Sequence, residues 1–346
     1  MFLEKVLDVF SETFNTFAAV HIYKIAMANF FSSLFSSSKK EDSTEDKQKE
    51  DLKNFDILKY DGIRAMQIRQ MEYAVKCFTE ALNIQSDFET MNHLVSAYIQ
   101  MNEPEDALEI IDEMIEMEPE HVNTYLSRVN VLFLLDRDED AIADCNKAIE
   151  LDEENYLCYF LRAKAKRTTE DKSGAIEDLT KAIALKEDFA DGYLLRAEVL
   201  LDMKQGKEAL EDVNKVIELV EEGDETAHLL RGRIYELLGD QDAATNEYQE
   251  VLALNPFNEK AYILAGKQLM TQGKLEEALA IFDEAIEHNE QFAEAYAERG
   301  RVKSQIGDEE GAMEDLKKSI ELNPEGGEDK KQDEGSFDNL YKGGIF

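Results

Sequence analysis

Residues 259–289, "EKAYILAGKQLMTQGKLEEALAIFDEAIEHN", contain two apolar patterns of helical period divided by the polar turn "TQGK". Two helices joined by so short a link fold back on each other, and a single hairpin leaves an apolar face uncovered. The stretch therefore requires neighbours built the same way, and the chain supplies them. Alanine recurs at Ala74, Ala107, Ala141, Ala175, Ala209, Ala244, Ala278 and Ala312, with spacings of 33, 34, 34, 34, 35, 34 and 34. A second series stands sixteen residues ahead of the last six: Tyr125, Tyr159, Tyr193, His228, Tyr262 and Tyr296. Turn-forming stretches such as "DRDEDA", "MKQGKEA", "LLGDQDA" and "QIGDEEGA" divide other units in the same way.

This pattern resembles the tetratricopeptide repeat family, which places a small residue four positions after an aromatic, then an alanine, a bulky residue and a closing proline. Tyr262, Gly266, Ala278, Phe282 and Ala285 fall on those positions, and Gly62, Gly232, Gly300, Pro119, Pro256 and Pro324 match small and closing residues elsewhere. The resemblance covers about residues 55–326 as eight units. It implies an all-α fold, an α-solenoid of stacked helix hairpins forming a right-handed superhelix whose first helices line a concave groove. It also implies a non-enzymatic scaffold that binds a protein or peptide partner in that groove. Val95 and Val129 stand where a small residue is expected, Ser319 replaces the later alanine, and Met91 opens the second unit in place of an aromatic. The early units are accordingly expected to pack less regularly.

Five first helices carry an arginine three residues after the aromatic place: Arg128, Arg162, Arg196, Arg231 and Arg299. Sixteen residues later stand Asp144, Asp178, Asp212, Glu247 and Asp315. The units without the arginine have Asp61, Leu94 and Ala265, and there the later place holds Cys77, Ile110 and Ile281. Acid and arginine come and go together. A guanidinium entering a helix interface needs a carboxylate to offset its desolvation, so the arginines read as struts within each repeat. The alternative is an arginine ladder gripping an acidic ligand.

If the arginines face their own hairpin, the residues beside them face the groove: Leu126, Phe160, Leu161, Leu194, Leu195, Leu229, Leu230, Ile263 and Leu264. Two residues beyond the arginine place come Asn130, Lys164, Glu198, Arg233, Lys267 and Arg301, four of the six basic in a chain of net charge -38. The expected ligand is a peptide with apolar side chains and some negative charge, contacted by Lys164, Arg233, Lys267 and Arg301. The competing reading packs these leucines repeat on repeat and leaves the basic residues solvated. A carboxylate clamp of the kind some family members use for chaperone tails is not assembled, because Lys59 is followed by Ile63.

Acidic residues outnumber basic ones 76 to 38, which is the wrong sign for shedding counterions onto a phosphate backbone, so no nucleic acid partner is expected. Cys77, Cys145 and Cys158 form no CxxC pair and are odd in number, which fits free thiols in a reducing compartment. No P-loop, dinucleotide fingerprint, HExxH or nucleophile elbow occurs, and His21, His93, His121, His228 and His288 are dispersed. No catalytic residues, cofactor or metal are expected, and the flanks are short for a catalytic domain. His228 reads as packing in a tyrosine's place. A small-ligand sensor is the less favoured alternative.

Residues 1–35 carry a helical stripe from Leu3 and Leu7 to Phe30 and Leu34, the pattern of an amphipathic helix, although Met27 is an alternative start. His21 and Lys24 interrupt the one candidate span, so this segment is expected to lie on a membrane surface or on protein rather than to cross a bilayer. A cytoplasmic protein is the expectation, with a membrane-associated assembly or recruitment factor as the alternative. Residues 36–54 read as a disordered, charged linker and residues 327–346 as a flexible tail. The last second helix, with Leu316 and Ile320, lacks an obvious polar cap. The tail, the N-terminal helix or a second subunit is expected to cover it, and the oligomeric state stays open.

Overall fold

The computed structural model describes residues 42–220 and 223–323, in which sixteen α-helices form eight consecutive hairpins and no strand is present among the described residues. Two compact units divide the chain after Glu187. The first holds α1 (Asp42–Gln67), α2 (Met71–Ile84), α3 (Phe88–Gln100), α4 (Pro104–Met117), α5 (Val122–Leu134), α6 (Asp138–Leu151), α7 (Tyr156–Thr168) and α8 (Lys172–Leu185). The second holds α9 (Ala190–Asp202), α10 (Gly206–Leu219), α11 (Glu225–Leu238), α12 (Gln241–Leu254), α13 (Glu259–Thr271), α14 (Leu275–His288), α15 (Ala293–Ile306) and α16 (Glu309–Leu322). Odd-numbered helices open hairpins and even-numbered ones close them.

Local chemistry sets the helix ends. Asp87, Asp171, Asp224, Asp240, Asn258 and Asp308 each accept a hydrogen bond from a backbone N–H in the first turn of the helix that follows. Every hairpin turn contains one residue of positive φ, at 69, 102, 136, 170, 204, 239, 273 and 307, which repeats the spacing of the alanines. Glycine fills the last three places, Asn102 and Asp136 are of the types that visit this region, and Arg69, Glu170 and Lys204 adopt it against their preference. The closing bond holds in both cases: Gln205 N–H reaches Leu200 O at 2.8 Å after Lys204, and Lys274 N–H reaches Leu269 O at 2.9 Å after Gly273.

The two helices of a hairpin meet where a first-helix residue faces one sixteen positions later. A Cβ placed on Gly266 would lie 2.2 Å from Phe282 Cζ, and one on Gly232 would lie 2.3 Å from a ring carbon of Tyr248. Gly62 stands in the same relation to Phe78. Where the small residue is missing, its partner shrinks: Val129 shares a buried cluster with Cys145, and Val95 shares one with Ile111. At these two places the fit is reached by a different division of size between the partners. One apolar cluster runs through α1 to α5, from Ala65 and Phe78 to Met91, Ile111 and Val131. In the second unit, clusters join α11 to α13 around Tyr248 and α13 to α15 around Phe282.

Helix α1 begins inside the stretch that reads as linker, but residues 47–54 are exposed and burial starts at Phe55. Lys, Glu, Asp and Gln fill those turns, and straight-chain residues extend a helix at little entropic cost once a buried turn anchors it. The expected helix over residues 1–35 and the tail over residues 327–346 lie outside the described residues.

Size matching has a direct test. Gly266→Ala is expected to destabilise the protein, since overpacking of about 1–3 kcal/mol exceeds a helix-propensity gain of up to about 1 kcal/mol. Gly266→Ala with Phe282→Leu, which copies the pair Ala163 and Leu179, is expected to recover most of the loss in urea denaturation. A double variant no more stable than the single one contradicts the pairing.

Candidate functional site

The arginine struts form with regular geometry. Arg128 donates to Asp144 from Nε at 2.7 Å and Nη2 at 2.6 Å, and Arg162 to Asp178 at 2.8 and 2.6 Å. Arg196 donates to Asp212 at 2.7 Å from both nitrogens, and Arg299 to Asp315 at 2.8 and 2.7 Å. All four carboxylates are buried, and the bidentate hydrogen bond raises the guanidinium pKa in each of the four arginines. The tyrosine three residues earlier lies under the guanidinium, with 5.8, 5.6, 5.7 and 5.3 Å from ring centroid to guanidinium carbon for Tyr125, Tyr159, Tyr193 and Tyr296. The recurring aromatic and the recurring arginine are therefore one stacked unit.

The struts also reach out of their own hairpin. Nη1 of Arg128 donates to Asp112 at 2.7 Å, that of Arg162 to Asn146 at 2.7 Å and that of Arg299 to Asp283 at 2.7 Å. Each acceptor lies on the second helix of the preceding hairpin, sixteen residues back. One guanidinium thus joins three helices. The backward partners were missed in the sequence because they alternate between Asp and Asn. Lys166 and Lys303, one turn after Arg162 and Arg299, add a second cation at 2.9 and 2.8 Å to Asp178 and Asp315.

The fifth strut differs. Arg231 Nε sits 2.9 Å from Glu247 Oε2 but off the line of its N–H, so the contact is ionic and makes no hydrogen bond. His228 Nδ1 lies 2.9 Å from the same oxygen, and Arg231 Nη1 donates to Asn214 at 3.0 Å. His228 is thus a polar partner of Glu247 as well as a space filler, a role that its isolated place in the sequence gave no sign of.

The apolar ladder is closed. Leu126, Phe160, Leu194, Leu195, Leu229, Leu230 and Ile263 are buried, while Leu161 and Leu264 are half-buried. Leu126 packs with Cys158 of the next first helix, and Leu229 with Ala261. These leucines join repeat to repeat, because a helix held between two neighbours needs an apolar flank on each side. The basic row remains accessible in part. Lys164 Nζ lies 4.7 Å above the Phe133 ring, and Lys267 and Arg301 are exposed. Lys267 Nζ is 3.2 Å from Glu294 and 3.3 Å from Glu298, and Arg301 Nη1 donates to Glu298 at 2.6 Å. Arg233 is half-buried. Burial, and after it the charge of Arg233, holds the Lys260 amine below its usual range, with Glu198 acting the other way.

Two buried carboxylates, Glu198 and Glu298, are therefore part of this face. Glu298 stands where other units carry Leu161, Leu195, Leu230 and Leu264, and that exchange was a readable signal. The thiols do not join the site: all three cysteines are buried, and burial pushes Cys158 up to about 11 and Cys145 higher still.

Comparison with known proteins agrees with this geometry. The model of the tetratricopeptide repeat matches residues 122–155, 225–258 and 293–325, and that of the PPR repeat matches 89–118. No curated protein sequence matches the chain. Among solved structures, a tetratricopeptide repeat protein from Parabacteroides merdae is similar with a TM-score of 0.53 and 16% identity, covering 68% of this chain and 93% of that one. PilF of Pseudomonas aeruginosa is similar with a TM-score of 0.50 and 16% identity, over 59% of this chain and 92% of that one. YrrB, described as a TPR protein with an unusual peptide-binding site, has a TM-score of 0.43 and 24% identity, over 52% of this chain and 93% of that one. The first two likenesses concern the fold.

Two measurements probe the struts. Arg196→Ala is expected to cost about 3–5 kcal/mol, because it strands the buried Asp212 carboxylate. The coupling with Asp212→Ala in a double-mutant cycle should be at least about 1 kcal/mol, and additive losses would contradict the pairing. The second concerns pH. Burial works to raise the Asp315 pKa, but hydrogen bonds and charge from Arg299 and Lys303 prevail and hold it below its ordinary value. A carboxylate depressed in the folded state contributes stability above its unfolded pKa of about 3.9 and loses it as pH falls through the folded value. The stability gap between the native chain and Asp315→Asn should be full at pH 6 to 7, on the order of 1 kcal/mol or more, and narrow below about pH 4.

Proposed function

This chain is a tetratricopeptide-repeat protein, a kind that generally serves as a protein-interaction scaffold, and we propose that it is a non-enzymatic scaffold holding an extended peptide segment of a protein partner against its first helices. The supporting observation is how the repeats use their residues. Arginines, acids, tyrosines and leucines are consumed by packing, and what stays accessible on the first helices is a row of varied polar side chains. In the first unit that row includes Asn130 and Lys164, with Phe133 half-buried beside them. In the second it includes Arg233, Lys267 and Arg301, set among Glu294 and the buried Glu298.

The burial of the leucines changes the expected ligand. The buried side chains of the ladder are not offered to a partner, so its two half-buried members, Leu161 in the first unit and Leu264 in the second, supply the apolar contact and the basic residues supply orientation. Because Lys267 and Arg301 are already shared with Glu298, an acidic ligand group must compete with an internal carboxylate. Binding by this face is therefore expected to be moderate and salt-dependent. An acidic-ligand grip by the strut arginines is disfavoured, since Arg128, Arg162, Arg196 and Arg299 already donate to buried protein carboxylates.

The reading is tested with the immobilised full chain and a peptide library that varies acidic and apolar content. Retention is expected to favour peptides combining leucine-type side chains with Asp or Glu. Lys164→Gln in the first unit and, separately, Lys267→Gln in the second should each lower that retention several-fold while leaving the melting temperature within a few degrees. Equal retention by either variant counts against the face of that unit.

A further inference from the structure

Helix α16 closes the second unit, and its outward side chains stand at places that the preceding second helix covers. Leu316 occupies the place of Phe282 and Ile320 that of Ile286, and both of those share one apolar cluster with Phe292 and with Ala295 and Val302 of α15, while Leu316 also meets Gly300 of its own hairpin. Among the described residues nothing plays the part of α15 for α16. Met313, Leu316 and Ile320 are consequently 73%, 42% and 67% exposed. Helix α1, which opens the first unit, shows the converse. Ile57 holds the place of Ala295 and Arg64 that of Val302, and Ile57 and Tyr60 are exposed on the flank that later first helices turn to the preceding hairpin.

The charges at these two flanks match each other. Between α14 and α15 the tie is Arg299 to Asp283. The equivalent places hold Asp61 in α1 and Lys317 in α16, so the signs are exchanged but remain opposite. Val302 and Leu275 belong to one apolar cluster, and at their equivalent places stand Arg64 and Glu309, again an opposed pair. Among the described residues the ion pairs of these groups are with neighbours on their own helices: Asp61 with Arg64 at 3.3 Å and Lys317 with Glu321 at 3.9 Å. Pairs of that kind contribute little and are easily exchanged for better ones.

We propose that the exposed flank of α16 docks on the exposed flank of α1 in a second copy of this chain, in the register that α14 uses on α15. Lys317 meets Asp61 of the partner subunit, Glu309 meets Arg64 of the partner subunit, and Leu316 and Ile320 cover Ile57 of the partner subunit. The contact is heterologous, so each added copy presents a fresh flank and the association is open-ended. The net charge of -38 repels copies from one another and keeps the association modest.

Sedimentation of the full chain over a concentration series, at about 0.15 M salt to limit the net repulsion, decides the matter. The weight-average mass is expected to rise continuously above that of one chain. Asp61→Lys alone and Lys317→Glu alone should each weaken association about tenfold or more, by placing like charges together. Mixing the two singly substituted chains, or joining both changes in one chain, should restore it. Ile320→Glu should return the mass to that of one chain with unchanged helicity. A mass of one chain at every concentration overturns the proposal and leaves these flanks to residues 1–41 and 324–346. Association that persists undiminished through all of these substitutions overturns it as well.

Discussion

A guanidinium that enters the space between packed helices loses most of its water and must find carboxylate or amide oxygens fixed at the right distance. That requirement governs this molecule. In Arg128, Arg162 and Arg299, two nitrogens hold the partner helix of the same hairpin and the third holds the hairpin before. The group is planar and its donors are rigidly placed, so satisfying all three acceptors defines the angle and register of three helices together. Tyrosine rings beneath the guanidinium remove the remaining freedom. Apolar packing supplies most of the driving force, but it tolerates sliding. The ion pairs do not.

The second constraint is volume. Where helices approach most closely, one side chain must be small, and the chain distributes size freely between the two partners: Gly266 with Phe282, Gly232 with Tyr248, Val129 with Cys145. A departure from the repeat pattern at one place is answered sixteen residues later. In these pairs either a small residue meets a bulky one or two residues of middle size meet, so the size at one place limits the size at the other.

Much of this is legible in the amino-acid sequence. The offset of sixteen reports a fixed helix pair, so an acid that appears and vanishes with its arginine is a contact map in one dimension, and Arg196 with Asp212 follows directly. The same offset backwards was less visible, since Asp112, Asn146 and Asp283 mix two residue types. The leucine ladder misled for a physical reason: an inner helix has two apolar flanks, and periodicity alone does not say which one faces water. Glu298, in a leucine's place, was the better pointer to the accessible face. The left-handed turn residues Glu170 and Lys204 could not be foreseen from propensity, because the closing hydrogen bond of the hairpin overrides it. Residues 42–54 gave no core signal and still continue a helix, which shows that failing to bury surface and failing to form a helix are separate properties.

A repeat that binds its neighbour through one fixed set of contacts creates a difficulty at its last copy, where the same contacts have no recipient. Removing them is the simplest remedy, and the outermost flanks here follow it only halfway. Arginine is gone from α1, with Asp61 in its place, and the acceptor is gone from α16, with Lys317 in its place. Had the flanks been adapted for water alone, Ile57, Tyr60, Met313 and Ile320 would be expected to be polar, and they are not. Apolar side chains retained beside an exchanged pair of charges prevent the internal contact from forming with the wrong helix while keeping one interface of the same geometry available. Exchange of sign is also what distinguishes the two classes of contact: a flank carrying Asp61 cannot compete for Asp283, so stacking within a chain and association between chains stay separate.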